Sequence, residues 1–174
     1  MQIVKRTKPI TIFIVDDNPV FSLALKADIE TVFSNMLLNI RLFETGEQCM
    51  ERFRAELPEL VILDYNLNSK VKGAANGLEV LQIIKKVNPD CSVIMLTSED
   101  NMDIAIRSMQ HGASDYVVKT ETQFRKINYS LLNSFKLMEV KDYKRKYKQS
   151  LVLLCVAIGA MAVAVFSYNY FSLV

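Results

Sequence analysis

Five residues in this chain could do chemistry together: Asp16, Asp17, Asp64, Thr97 and Lys119. Three carboxylates brought into one crevice repel one another, and they stay ionised together only if a cation or a shared proton offsets them. Hard oxygen ligands of this kind suit Mg²⁺, which combines one or two carboxylates with water and phosphate oxygens. A carboxylate beside that ion can attack a phosphoryl group, while a hydroxyl and an ammonium balance the phosphoryl oxygens. Thr97 and Lys119 would supply those two groups.

The elements that must position them read as an alternation. Short apolar or β-branched runs at Ile10–Val15, Leu38–Phe43, Leu60–Leu63, Ser92–Leu96 and Tyr116–Val118 predict strands buried on both faces. Helical patterns fit between them. Asn18 followed by Pro19 predicts an N-cap and a first-turn proline, opening a helix that carries Val20, Leu23, Ala24, Ala27 and Val32. Others fit about Glu47–Ala55, Gly77–Val87 and Met102–His111, with His111 as a polar helix end. A last helix starts near Glu121. Five βα units predict an α/β fold: a five-stranded parallel sheet, flavodoxin-like, in the order 2-1-3-4-5, with helices on both faces. In such sheets the functional crevice lies beyond the carboxyl ends of the strands, where Asp16, Asp17, Asp64, Thr97 and Lys119 all fall.

The motifs VDDNP, LVILDYN, VIMLTSE and GASDYVVK together resemble the acidic pair, phosphoacceptor strand, switch-threonine strand and closing strand of response regulator receiver domains, the CheY-like family, over about residues 9–138. The resemblance implies a role for each matching position. Asp64 would accept phosphate; Asp16, Asp17, Asp64 and the Asn66 backbone carbonyl would hold Mg²⁺. Thr97 and Lys119 would contact phosphoryl oxygens, and Tyr116 would be the aromatic that moves with Thr97. Asn66 and Glu99 would tune dephosphorylation. It implies a signalling component phosphorylated by a sensor histidine kinase or a phosphotransfer protein, not a turnover enzyme.

Two features depart from the family. Thr120 stands where a proline usually follows the lysine, which leaves either isomer of the Lys119–Thr120 bond open. The loop NLNSKVKGAANG (66–77) is long, which fits a tolerated surface insertion better than a partner contact. A phosphorylation-independent scaffold is the alternative function. A haloacid-dehalogenase-like, Mg²⁺-dependent phosphatase is a remoter one, since it needs a second acid where Asn18 stands.

The chain carries a formal charge of +2, but Lys5, Arg6 and Lys8 at one end and Lys141–Lys148 near the other hold the positive excess, so the body between them is acidic. That balance argues against a nucleic-acid partner. Cys49, Cys91 and Cys155 fit neither a disulfide framework nor a zinc site. Leu151–Val174 carries no charge and as a helix would reach about 36 Å, enough for a hydrocarbon layer of about 30 Å. The expected organisation is a receiver at 9–138, a basic juxtamembrane helix at 139–149 and a transmembrane helix at 150–174, the last domain helix running on into the span. The basic cluster would keep the receiver on the cytoplasmic side of a single-pass cell-membrane protein. With no output domain expected, signalling would pass by contact to a downstream protein at the membrane. Ala160 and Ala164 are compatible with a homodimer.

Overall fold

The computed structural model describes residues 8–67, 76–98 and 101–171, with side chains up to Met161. The chain divides into two compact units, Met1–Ser134 and Phe135–Val174.

In the first unit the strands are β1 (Ile10–Val15), β2 (Leu38–Phe43), β3 (Leu60–Asp64), β4 (Ser92–Thr97) and β5 (Asp115–Val118). They form one sheet in the order β2-β1-β3-β4-β5, and every pairing is parallel. The expected fold is therefore the observed one. β3 is central and all five of its residues are buried, which is why it reads as an unbroken apolar run ending in an aspartate. Side chains alternate across the sheet. Phe13, Val15, Val61, Leu63, Val93 and Met95 share one core with Cys49 and Phe53 of α2 (Gly46–Glu56) and Val80, Leu81 and Ile84 of α3 (Gly77–Val87). Ile12, Ile14, Ile62 and Ile94 are buried on the opposite face. α4 (Met102–Gln110) precedes β5, with His111 as its C-cap. α5 begins at Gln123 and is a single helix through Phe171.

α1 (Pro19–Val32) starts as its sequence predicts: the Asn18 side chain accepts from the backbone N–H groups of Val20 and Phe21, and Pro19 fills the first turn. Its inward face is another matter. Val20, Leu23 and Val32 are 75%, 60% and 52% exposed, while Ser22, Leu25 and Ile29 are buried. Two stripes at helical spacing compete on this helix. The one that packs is interrupted by Ser22, whose small side chain fits the buried side, so periodicity alone favours the wrong one.

α5 in its first unit buries Ile127 and Leu131, with Phe124 half-buried, at a three-or-four spacing. Three polar contacts fix it: Asn128 donates to Asp28 of α1, the Ser130 hydroxyl donates to Asp115 of β5, and the hydroxyls of Ser92 and Ser134 meet at 2.9 Å. In the second unit, Phe135–Val174, the helix becomes polar and basic and then apolar. Among the described residues no helix is long and apolar enough to cross a membrane. The span expected at 150–174 rests largely on 162–174, which lie outside the described side chains.

Candidate functional site

β1 and β3 are neighbours, so their carboxyl ends set Asp16 and Asp64 side by side. β5 lies two strands from β3 and delivers Lys119 from the residue after its end; the Lys119 backbone N–H donates to the Thr97 carbonyl at 2.7 Å and ties that end to β4. The Lys119 Nζ then reaches both acids, at 2.7 Å from Asp16 Oδ2 and 2.9 Å from Asp64 Oδ2. Both aspartates are buried, and Asp17 is half-buried beside them. One oxygen from each of Asp16, Asp17 and Asp64 lies within 4.8 Å of the others.

The backbone around Asp64 is held tightly. The Tyr65 N–H donates to the Leu96 carbonyl at 2.7 Å, and the Gly77 N–H donates to the Tyr65 carbonyl at 3.0 Å. A Cβ on Gly77 would sit 2.2 Å from the Asp64 carbonyl oxygen and 2.7 Å from the Tyr65 Cα. Only glycine lets α3 begin that close to the strand end. On the other side, the Asn18 N–H donates to Asp16 Oδ1 at 3.0 Å, fixing that carboxylate against the start of α1.

Burial pushes the Asp64 carboxyl above its ordinary range; Lys119 opposes this and the neighbouring Asp16 charge adds to it. Burial alone would pull the Lys119 ammonium down. Its hydrogen bond to Asp16 and its attraction to Asp64 outweigh that, and the net shift is upward. The crevice thus holds more negative charge than one lysine neutralises. Asp64 Oδ1 is buried without a hydrogen-bond partner, an oxygen placed as a cation ligand would be. An all-oxygen donor set with an orphaned carboxylate oxygen fits Mg²⁺.

The open cleft above these groups has a volume of about 410 Å³ and is lined by Asp16, Asp17, Asp64, Asn66, Lys119 and four residues that sequence reasoning did not assign to the site: Phe21, Ser98, Gln123 and the capping Asn18. The Lys119 ammonium stands 4.9 Å from the centroid of the Phe21 ring, a distance at which the ring face attracts it. Phe21 lies three residues after Asn18 on the first turn of α1. Gln123 is the first residue of α5, with its carboxamide oxygen buried and unpartnered.

The other predicted positions divide. Thr97 is fully buried at the end of β4, next to the cleft. Asn66 lines the cleft, and its backbone N–H favours the ionised form of Asp64. Tyr116 is in register with Met95, two residues short of Thr97, and lines a different cavity between β5 and α5 with Arg125, Tyr129 and Ser130. Glu99 and most of the 66–77 loop lie outside the described residues. There is no cis peptide among the described residues, so the Lys119–Thr120 bond is trans. The phosphatase alternative finds no support at Asn18, whose side-chain oxygen is engaged in capping α1.

Comparison with known proteins agrees with this fold. The luminescence regulatory protein LuxO of Vibrio campbellii is 30% identical over 82 residues, 47% of this chain and 17% of that protein; the chain thus spans under a fifth of this relative's length. A CheY-like response regulator receiver domain protein from Methanospirillum hungatei superposes with a TM-score of 0.66 at 20% identity, covering 78% of this chain and 99% of that one. A response regulator protein from Burkholderia pseudomallei, solved with a phosphorylated aspartic acid, a calcium ion and citrate, gives a TM-score of 0.60 at 20% identity, over 76% of this chain and 72% of that one. The family model for the response regulator receiver domain matches residues 12–128, from within β1 to the start of α5. With more than half of its length in that match, the chain belongs to the response regulator receiver domain family of two-component signalling.

Proposed function

We propose that this chain is a Mg²⁺-dependent phosphoacceptor in a two-component phosphorelay, phosphorylated on Asp64 by a sensor histidine kinase or phosphotransfer protein. The observation that carries the reading is Asp64 itself, buried, paired with Lys119 at 2.9 Å and left with one unpartnered oxygen beside Asp16 and Asp17. Asp16, Asp17, Asp64 and the Asn66 carbonyl would hold Mg²⁺, whose charge lets the carboxylates stay ionised together and offsets the phosphoryl oxygens. An Asp64 carboxylate oxygen attacks phosphorus in line; the P–N bond of a phosphohistidine donor breaks, and its electron pair leaves with the imidazole nitrogen, which takes up a proton. Lys119 pairs with a phosphoryl oxygen, and the Thr97 hydroxyl turns to another. Asn66 and Glu99 tune attack by water in the reverse step. Withdrawal of Thr97 frees Tyr116 to move, which alters the surface offered to a downstream protein.

Incubation with Mg²⁺ and a small phosphodonor, followed by intact-mass measurement, tests this. Wild type should gain one phosphoryl group and Asp64→Asn should gain none. Equal labelling of the two, or none in wild type, would favour the phosphorylation-independent scaffold.

A receiver at 9–138, a basic segment at 139–149 and a membrane span at 150–174 complete the proposal. Its support is the uncharged run Leu151–Val174 and the exposure of apolar side chains on all sides of the helix from Leu151 to Met161, a surface that suits hydrocarbon better than water. The basic cluster before it would keep the receiver in the cytoplasm. A C-terminal tag should then be protected from protease in right-side-in vesicles; cleavage of that tag together with the receiver would refute a single span.

A further inference from the structure

Between Lys136 and Ser150 the helix is mostly charged or polar, and its strongly exposed apolar side chains are Leu137, Val140, Tyr143 and Tyr147. At 100° per residue all four fall within a wedge of about 120°. They are not scattered. Written as a heptad, Leu137, Val140, Lys144 and Tyr147 occupy the two core positions, and the same register continues without a break through Leu151, Leu154, Ile158 and Met161. The apolar members of this series are between 43% (Leu151) and 70% (Met161) exposed, so nothing in their own unit covers them. In the sequence the register goes on at Val165 and Tyr168.

We propose that this face of α5, from Leu137 to Met161, is a self-association seam on which a second copy of the chain packs in parallel and in register. A lipid surface is a poor occupant for its first half, because the helix runs unbroken from the polar stretch through Phe171. A helix that enters a bilayer at one end cannot also lie flat along it without a kink, and no glycine or proline occurs between Phe135 and Gly159. A water-soluble partner would cover only the charged half. A second copy meets the whole register, because it carries the same one. The parallel orientation rests on the membrane reading above, in which both chains enter the bilayer in the same direction.

The flanking residues give the seam a distinctive salt response. In a parallel pair Tyr143 of one helix faces Lys148 of the other, where the ring can take the ammonium. Lys136 faces Lys141, and Lys144 meets its own copy at a core position. These repulsions oppose the apolar contact, and salt screens them: the Debye length falls from about 10 Å at 0.1 M to about 3 Å at 1 M. Association should therefore strengthen with salt, where ion-paired coiled coils weaken.

Cysteine scanning of the full chain, in membranes from expressing cells, tests the seam. Cys155 is exposed, while Cys49 and Cys91 are buried, so Cys155→Ser provides a quiet background. Oxidative cross-linking should be several-fold higher for Leu137→Cys, Val140→Cys, Lys144→Cys and Tyr147→Cys than for Glu139→Cys, Asp142→Cys, Lys146→Cys and Gln149→Cys. A flat profile, or maxima on the second set, overturns the proposal. Washing the same membranes at alkaline pH separates the two readings: a chain that washes off yet keeps the heptad profile refutes the anchor alone, and one that stays with a flat profile refutes the seam alone.

Discussion

Replacing Lys119 by Met keeps the aliphatic stem and removes the charge that two buried carboxylates share. Asp16 and Asp64 accept from Lys119 at 2.7 and 2.9 Å with side chains 0% and 4% exposed, and the lysine is only 16% exposed, so solvent screens these pairs weakly. Without the ammonium, the two carboxylates face each other with oxygens within 4.8 Å, a repulsion of about 3 kcal/mol at an effective dielectric near 20. Breaking a buried pair by deleting one partner costs about 3–5 kcal/mol; protonation of Asp64, whose affinity for a proton is already raised, holds the loss to the lower end. At about 3 °C per kcal/mol the midpoint should fall by about 10 °C. Thermal unfolding followed by circular dichroism in EDTA measures this. Excess Mg²⁺ should then stabilise Lys119→Met more than wild type, because the cation replaces the lost charge. A variant as stable as wild type in EDTA would show that the lysine's attraction to the acids is cancelled by its own desolvation, and the electrostatic account of the crevice would be wrong.

Asp64→Asn should instead raise the stability of the Mg²⁺-free protein at neutral pH. The folded carboxyl binds its proton more tightly than the unfolded one, so wild type loses stability as pH rises from the ordinary value of about 3.8 through the raised folded value; the advantage of Asp64→Asn should open over that window in urea titrations and vanish below it. Gly77→Ala forces a methyl group to within 2.2 Å of the Asp64 carbonyl oxygen, and backbone displacement should cost about 1–3 kcal/mol and slow phosphorylation in the same protein. Asp17→Asn should leave thermal stability nearly unchanged but weaken Mg²⁺ binding by at least about tenfold, as read by isothermal titration calorimetry.

Much of this arrangement is legible in the chain because the central strands are buried on both faces. Continuous apolar runs ending in Asp16, Asp64 and Thr97 mark strand ends without needing tertiary information, and Asn18–Pro19 marks a helix start by local chemistry alone. Less was legible where two solutions share one local pattern. The stripes of α1 have the same spacing, and only packing against the sheet selects the one broken by Ser22. Phe21 and Gln123 join the cleft because α1 and the start of α5 come together beside β1, a consequence of topology that no spacing encodes.

Reductive trapping identifies which acid carries the phosphoryl group. After incubation with Mg²⁺ and a phosphodonor, borohydride converts an aspartyl phosphate to homoserine, and peptide mass spectrometry locates it. Homoserine at position 64, dependent on Mg²⁺ and absent at Asp16 and Asp17, is the predicted result. Homoserine at either of the other two acids, or at none of them, would contradict the assignment of Asp64 as the phosphoacceptor.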